Sequence, residues 1–150
     1  MQNETEFAWS DTYLLGFHPM DETHQEFVDR VRTMLEASDQ EFLPALRSFT
    51  EHLERHFAQE KEWMVATDFP ATDCHVDEHD AVLQSAHEVI ALLSAESGKT
   101  EIGRSMAQEL TRWFPAHADY LDSALAQWMA KRAYGGVPVV LRRNVISAEE

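Results

Sequence analysis

Basic residues and cysteine are scarce in this 150-residue sequence. Only 12 lysines and arginines stand against 27 aspartates and glutamates, giving a formal net charge of −15 with histidine neutral. Nucleic acids and anionic membrane surfaces are bound through clustered Lys and Arg, so the charge argues against both as partners. Cys74 is the only cysteine, so no internal disulfide can form, which favours a reducing compartment and a cytoplasmic protein.

Long apolar runs are also missing. None approaches the ~20 residues of a membrane-spanning helix, and the first residues lack the basic segment of a signal peptide. Hydrophobic residues make up 44% of the sequence and aromatic residues 10%, as in an ordinary globular protein. We therefore expect one domain over residues 1–150, with an arm over 1–20, a body over 21–134 and an extended, apolar tail over 135–150.

The body is predicted to be all-α, because apolar residues recur at spacings of three and four in four stretches. The predicted helices cover about 21–37, 38–66, 71–93 and 100–134. Asp21 and Thr100 are candidate N-caps, and Ser38 with Glu41 forms a capping box. Short turns between the helices predict an antiparallel up-down four-helix bundle. The aromatic residues of the arm, among them Trp9 and Tyr13, are expected to pack over it.

Seven polar residues lie on or near the apolar stripes of these helices. They are His24, His56, Glu60, His75, His79, His117 and Asp122. Burying such groups is unfavourable unless they are paired or bound to a metal. His117 and Asp122 are five residues apart, about 140° on a regular helix. A local distortion between Phe114 and Asp122 is therefore predicted, and Pro115 is expected to kink the same stretch.

This set of side chains suits two metal ions better than one. Five imidazoles and two carboxylates exceed the roughly four ligands of a zinc ion, and two carboxylates can bridge a pair of ions. Imidazole with carboxylate fits iron, although ligand type alone also admits manganese, zinc or copper. Other candidates are expected to have structural roles: His18 as a surface or arm-packing imidazole, His52 at a water-facing edge, and Cys74 as a buried or half-buried thiol off the face of His75 and His79.

The order and spacing of the seven residues resemble the hemerythrins, specifically the single-domain bacterial members, over about residues 9–130. The resemblance implies two irons joined by an oxo or hydroxo group, with Glu60 and Asp122 as bridging ligands. It assigns three imidazoles to one iron, and it assigns His24 and His56 to the other, which keeps a position open for dioxygen. The first iron would take His75, His79 and His117.

The resemblance also implies reversible dioxygen binding rather than catalysis. We expect an apolar dioxygen pocket from Phe27, Phe57, Trp113 and Phe114. No acid or base beyond the ligands stands out in the sequence to cleave an O–O bond, which favours binding over oxidation of a substrate.

Three other functions are compatible with parts of the sequence. Ferroxidase-type di-iron enzymes use Glu-x-x-His pairs, and the sequence has none, but a hemerythrin-type site acting on peroxide or nitric oxide stays open. The run His75-Val-Asp-Glu78-His79 matches the H-x-x-E-H pattern of zinc peptidases. That function leaves four residues unexplained, namely His24, His56, Glu60 and Asp122. A metal-free interaction bundle would have to give every buried polar group a partner.

Overall fold

The computed structural model describes residues 7–134, and these residues form a bundle of helices without any strand. A short 3-10 turn, Asp11–Tyr13, precedes α1, His18–Glu36. Helix α2 covers Asp39–Ala66 and α3 covers Thr72–Ala95. The fourth helix of the bundle consists of α4 (Thr100–His117), a π-helical turn (Ala118–Asp122) and α5 (Ser123–Tyr134). The all-α four-helix bundle is thus confirmed, and the predicted tail lies outside the described residues.

The first helix begins earlier than predicted, because Asp21 is not its N-cap. Helix α1 starts at His18, with Phe17 as the capping residue and Pro19 in the first turn, where its missing N–H costs no hydrogen bond. The Asp21 carboxylate instead accepts hydrogen bonds from the backbone N–H groups of Leu15 and Gly16, at 2.8 and 3.1 Å. Asp21 therefore holds the end of the arm against the bundle.

The predicted cap of α2 is correct and that of α4 is not. Ser38 accepts from the N–H of Glu41 at 3.2 Å, and the Glu41 side chain accepts from the N–H of Ser38 at 3.3 Å, which completes the capping box. Thr100 is the first residue of α4 rather than its cap, and the capping residue Lys99 makes no side-chain cap bond.

The arm packs on the bundle as expected from its aromatic content. Phe7 is buried, and Trp9 and Tyr13 pack against the same apolar cluster. The rings of Tyr13 and Phe114 meet edge to face at a centroid distance of 5.4 Å, which connects the arm to the fourth helix. No helix within residues 7–134 is long and apolar enough to cross a membrane.

Two apolar clusters fill the interior, and a polar layer lies between them. The larger cluster includes Phe27, Leu46 and Phe114, and the smaller includes Met20, Met64 and Leu125. Along each helix the candidate ligands fall between residues of the two clusters; His24, for example, lies between Met20 and Phe27. The bundle therefore holds its polar layer in the middle of an apolar core.

Candidate metal centre

All seven candidate ligands lie in this polar layer, and none is more than 6% exposed. Helix α1 supplies His24, α2 supplies His56 and Glu60, α3 supplies His75 and His79, and the fourth helix supplies the last two. Residues four apart on a helix lie on one face, so each of the α2 and α3 pairs points inward together. Regular helical spacing therefore places both members of the α2 pair, and both members of the α3 pair, on one inward face. His117 and Asp122 share a face only if the fourth helix departs from regular α-helical geometry.

The fourth helix brings His117 and Asp122 together through its π-helical turn. The N–H of Ser123 bonds to the carbonyl of Ala118, five residues earlier, instead of four as in an α-helix. This wider turn moves residues five apart towards one face, and His117 Nε2 lies 3.1 Å from Asp122 Oδ1. The predicted distortion is confirmed. The regular α-helix continues past Pro115, so the π turn makes the change.

The two oxygens of Glu60 face different groups of histidines. Oε2 lies 2.8 Å from His56 Nε2 and 3.8 Å from His24 Nε2. Oε1 lies 3.3 Å from His75 Nε2 and 3.5 Å from His79 Nε2. A carboxylate placed in this way can give one oxygen to each of two metal ions.

Asp122 has the same arrangement from the opposite helix. Its Oδ2 lies 2.9 Å from His24 Nε2, and its Oδ1 lies 2.9 Å from His75 Nε2 and 3.1 Å from His117 Nε2. The donor atoms fall into two groups, each with all its atoms within 4.8 Å of one another. The first group consists of His75, His79, His117 and Asp122, and the second of His24, His56 and Glu60.

Several of these atoms are buried without a hydrogen-bond partner in the described chain. They include the Nε2 atoms of His24 and His75, Oε1 of Glu60 and Oδ1 of Asp122. Some lie close to another polar atom, but not in a direction that makes a hydrogen bond. Buried polar groups almost always find a partner, so converging unpartnered donors fit bound metal. The donor set is the one expected of divalent or trivalent ions with imidazole and carboxylate ligands.

Without metal, the carboxylates and imidazoles of the site shift one another's pKa values. Burial and then the charge of Asp122 would raise the pKa of Glu60, but the imidazoles of His56 and His75 outweigh both and lower that pKa to about 2. Burial would lower the pKa of His75, yet Asp122 and Glu60 raise it to about 9. Burial prevails at His79, and its pKa falls to about 3. The carboxylates are thus ionised and ready to ligate, and metal would replace protons on the imidazoles.

Aromatic rings cover the two groups on different sides. Phe57 stacks on His79 with ring centroids 3.6 Å apart, and Trp113 stacks on the His117 ring at 4.3 Å. Phe114 meets His24 edge to face at 5.2 Å and stacks on Phe27 at 4.9 Å. Phe57 also lies 5.4 Å from His56, and Trp113 lies 6.1 Å from Phe27, so the four aromatic residues expected to form the pocket border both groups of candidate ligands.

His52 is buried, so the expectation that it faces water is wrong. It is 4% exposed, and its Nε2 lies 3.1 Å from a carboxylate oxygen of Glu26 on α1. Its ring lies 5.8 Å from that of His56. The packing of α1 over this edge of α2, which helical spacing cannot show, removes the residue from water.

The burial of His52 predicts a loss of stability in acid. Burial and then repulsion by His56 lower its pKa to about 4, against the opposing effect of Glu26 and with a further lowering by Arg30. In the unfolded chain the pKa returns to near 6.5, so between about pH 6.5 and 4 the unfolded state binds more protons. The stabilisation is complete above that window and is lost as the pH falls through it. His52→Gln should therefore lose about 1–3 kcal/mol less free energy of unfolding than the parent across this pH window.

Denaturant unfolding of the metal-free protein at pH 7 and pH 4.5 measures the effect. The parent should lose more free energy of unfolding between the two pH values than His52→Gln does. His87→Gln is the matched control, because His87 is exposed and pairs with Glu54 on the surface. Parallel pH dependence of the parent and His52→Gln would contradict the assignment.

Glu78 is the site residue that the sequence did not reveal. Only the H-x-x-E-H pattern marks it in the sequence, because on α3 it points about 100° away from His79. Its Oε1 accepts a hydrogen bond from Nδ1 of His117 across the α3–α4 interface.

Cys74 is exposed rather than buried or half-buried, and His18 is exposed as well.

Comparison with known proteins gives two matches over most of the described chain. Residues 15–129 match the family described as "Hemerythrin HHE cation binding domain". A relative described as "Bacteriohemerythrin", from Ralstonia nicotianae (strain ATCC BAA-1114 / GMI1000), is 39% identical over 124 residues, which cover 83% of this chain and 89% of the relative. No solved structure gives a significant match.

Proposed function

The chain belongs to the hemerythrin family, and on that premise we propose that it binds dioxygen reversibly at a pair of non-haem irons. The observation that carries the proposal is the orientation of the two carboxylates. In both Glu60 and Asp122, one oxygen faces the group containing His75 and the other faces His24. Two ions bridged by two carboxylates use every one of these oxygens, whereas a single zinc would leave several donors unused.

The ligands divide unequally between the two positions. Besides the shared carboxylates, one position has the imidazoles of His75, His79 and His117, and the other has those of His24 and His56. The position with fewer imidazoles keeps a coordination site open, which separates a reactive metal from a structural one. The iron pair, when bound with its oxo or hydroxo bridge, would supply the two electrons that dioxygen takes up.

Aromatic side chains surround the open position, and these surroundings favour binding of dioxygen over its use in oxidising a substrate. Phe114 contacts His24 and stacks on Phe27, so we assign these two aromatic residues to the dioxygen pocket beside the open position. Phe57 and Trp113 stack on the rings of His79 and His117 at the other position.

A proton donor is the group that an enzyme acting on peroxide would need here. His52 is the titratable side chain outside the ligand set whose ring contacts that of His56. Burial first, and then repulsion by His56, lower the pKa of His52 to about 4, so it is uncharged near neutral pH. A neutral imidazole can accept a proton but brings none of its own, so steady turnover of peroxide is the assay that separates an enzyme from an oxygen-binding protein.

Iron and oxygen stoichiometry test the proposal. The metal-free chain is loaded with ferrous iron without air, the iron per chain is measured, and oxygen uptake is recorded before and after evacuation. We expect two irons per chain and one dioxygen per iron pair, released on evacuation. One metal per chain, or steady turnover of peroxide or nitric oxide, would contradict it.

A further inference from the structure

We infer that Glu78 is a positioning residue for the metal centre, and that through it the position with three imidazoles binds metal before the other position does. The inference rests on the proposed di-metal site and adds to it an order of loading. Glu78 is not a candidate ligand: it touches the ring of His117 on the side away from the other ligands.

The contact fixes which nitrogen of His117 is free for metal. Glu78 Oε1 accepts the proton of Nδ1, so the lone pair lies on Nε2. That Nε2 is 3.1 Å from Asp122 Oδ1 and 3.1 Å from His79 Nε2, in the middle of the first ligand group. The stacking of Trp113 holds the plane of the ring. A carboxylate behind a ligating imidazole fixes its tautomer and orientation and raises its basicity.

The second position lacks this support. The Nδ1 atoms of His24 and His56 are buried and have no hydrogen-bond partner within residues 7–134. Nδ1 of His75 is equally unpartnered, so the asymmetry between the positions rests on His117. A position with three imidazoles, one of them already oriented, loses less freedom on binding than a position with two imidazoles and no such support. The first metal ion should therefore bind beside His117.

The surroundings of Glu78 make it a residue that can be changed without unfolding the protein. Its side chain is 42% exposed, and it borders an open groove between α3 and α4 that is also lined by Val82 and Trp113. Shortening this side chain opens space towards water instead of leaving a cavity in the core. A change in metal binding can thus be separated from a change in folding.

A cobalt titration of the metal-free full chain, with a competing chelator and the visible spectrum as readout, tests the inference. The parent should bind two Co²⁺ ions in distinguishable steps. Glu78→Ala should weaken the first step by roughly 10–100-fold and leave the second nearly unchanged, so that the steps merge. Glu78→Gln should recover much of the loss, because its amide oxygen can still accept the Nδ1 proton of His117. Asp77→Ala is the matched control, since it removes an exposed carboxylate from the same helical turn.

The outcomes separate this inference from the proposed function. Two steps in the parent that Glu78→Ala leaves unchanged, or a loss confined to the second step, would overturn the role of Glu78. A parent that binds no cobalt, or only one ion, would overturn the di-metal site itself. Equal unfolding temperatures of the metal-free parent and the variants would show that the loss arises at the metal and not in the fold.

Discussion

Loading with metal is expected to raise the unfolding temperature of this protein by roughly 20 °C. A ligand present at 1,000 times its dissociation constant stabilises the folded state by about 4 kcal/mol, so two sites contribute about 8 kcal/mol. In a chain of this size each kcal/mol shifts the midpoint by about 2–4 °C. The physical source is the polar layer, where His24, His75 and both carboxylates carry buried atoms without partners until metal binds.

Calorimetry of the metal-free and the iron-loaded chain without air measures this difference. The metal-free chain should remain helical, because an apolar cluster on each side of the polar layer is independent of metal. Excess chelator, added before heating, should return the loaded protein to the lower midpoint. Midpoints that agree within a few degrees at full loading would show that the polar layer is satisfied without metal, as in an interaction bundle.

Glu60→Gln is expected to reduce iron from two ions per chain to at most one and to abolish dioxygen uptake. The amide keeps the size of the side chain but retains only one oxygen and no charge, so it cannot serve both groups of histidines. In the parent, Oε1 faces His75 and His79, and Oε2 faces His56. Losing a direct, bridging ligand should weaken binding by more than the roughly 10–100-fold of an outer-shell partner.

Iron analysis after gel filtration, under conditions that fully load the parent, measures the loss. Glu54→Gln is the control, because Glu54 is on the same helix and pairs with the exposed His87. An unchanged circular dichroism spectrum would show that the variant folds. If Glu60→Gln still held two irons and took up dioxygen, Glu60 would not be a bridging ligand.

Much of the fold could be predicted, since it depends on local patterns. The four helical stretches follow from apolar spacing, and the capping box of Ser38 and Glu41 has the predicted partners. The π turn followed from one conflict within the sequence: His117 and Asp122 cannot both face one site from a regular helix. The start of α1 could not be predicted, because the arm uses the carboxylate of Asp21.

The candidate ligands could be chosen from the sequence, but the residues that support them could not. His52 and Glu78 are both on the margins of helical faces, where burial depends on how the neighbouring helix packs. Glu26 on α1 covers His52, and the ring of His117 reaches Glu78 from α4. Cys74 differs from its prediction in the opposite direction. It was expected to be at least half-buried, but it is exposed because no neighbouring helix covers it. Helical spacing gives the direction of a side chain, whereas packing between helices decides what it meets.

The most direct test of the central claim is the optical spectrum of the iron-loaded protein through one cycle of reduction, exposure to oxygen and removal of oxygen. Reversible binding at two irons bridged by Glu60 and Asp122 predicts an absorption band that appears with oxygen, disappears on evacuation and returns on a second exposure. A spectrum that does not respond to oxygen, or one that changes once and does not return, would contradict the claim.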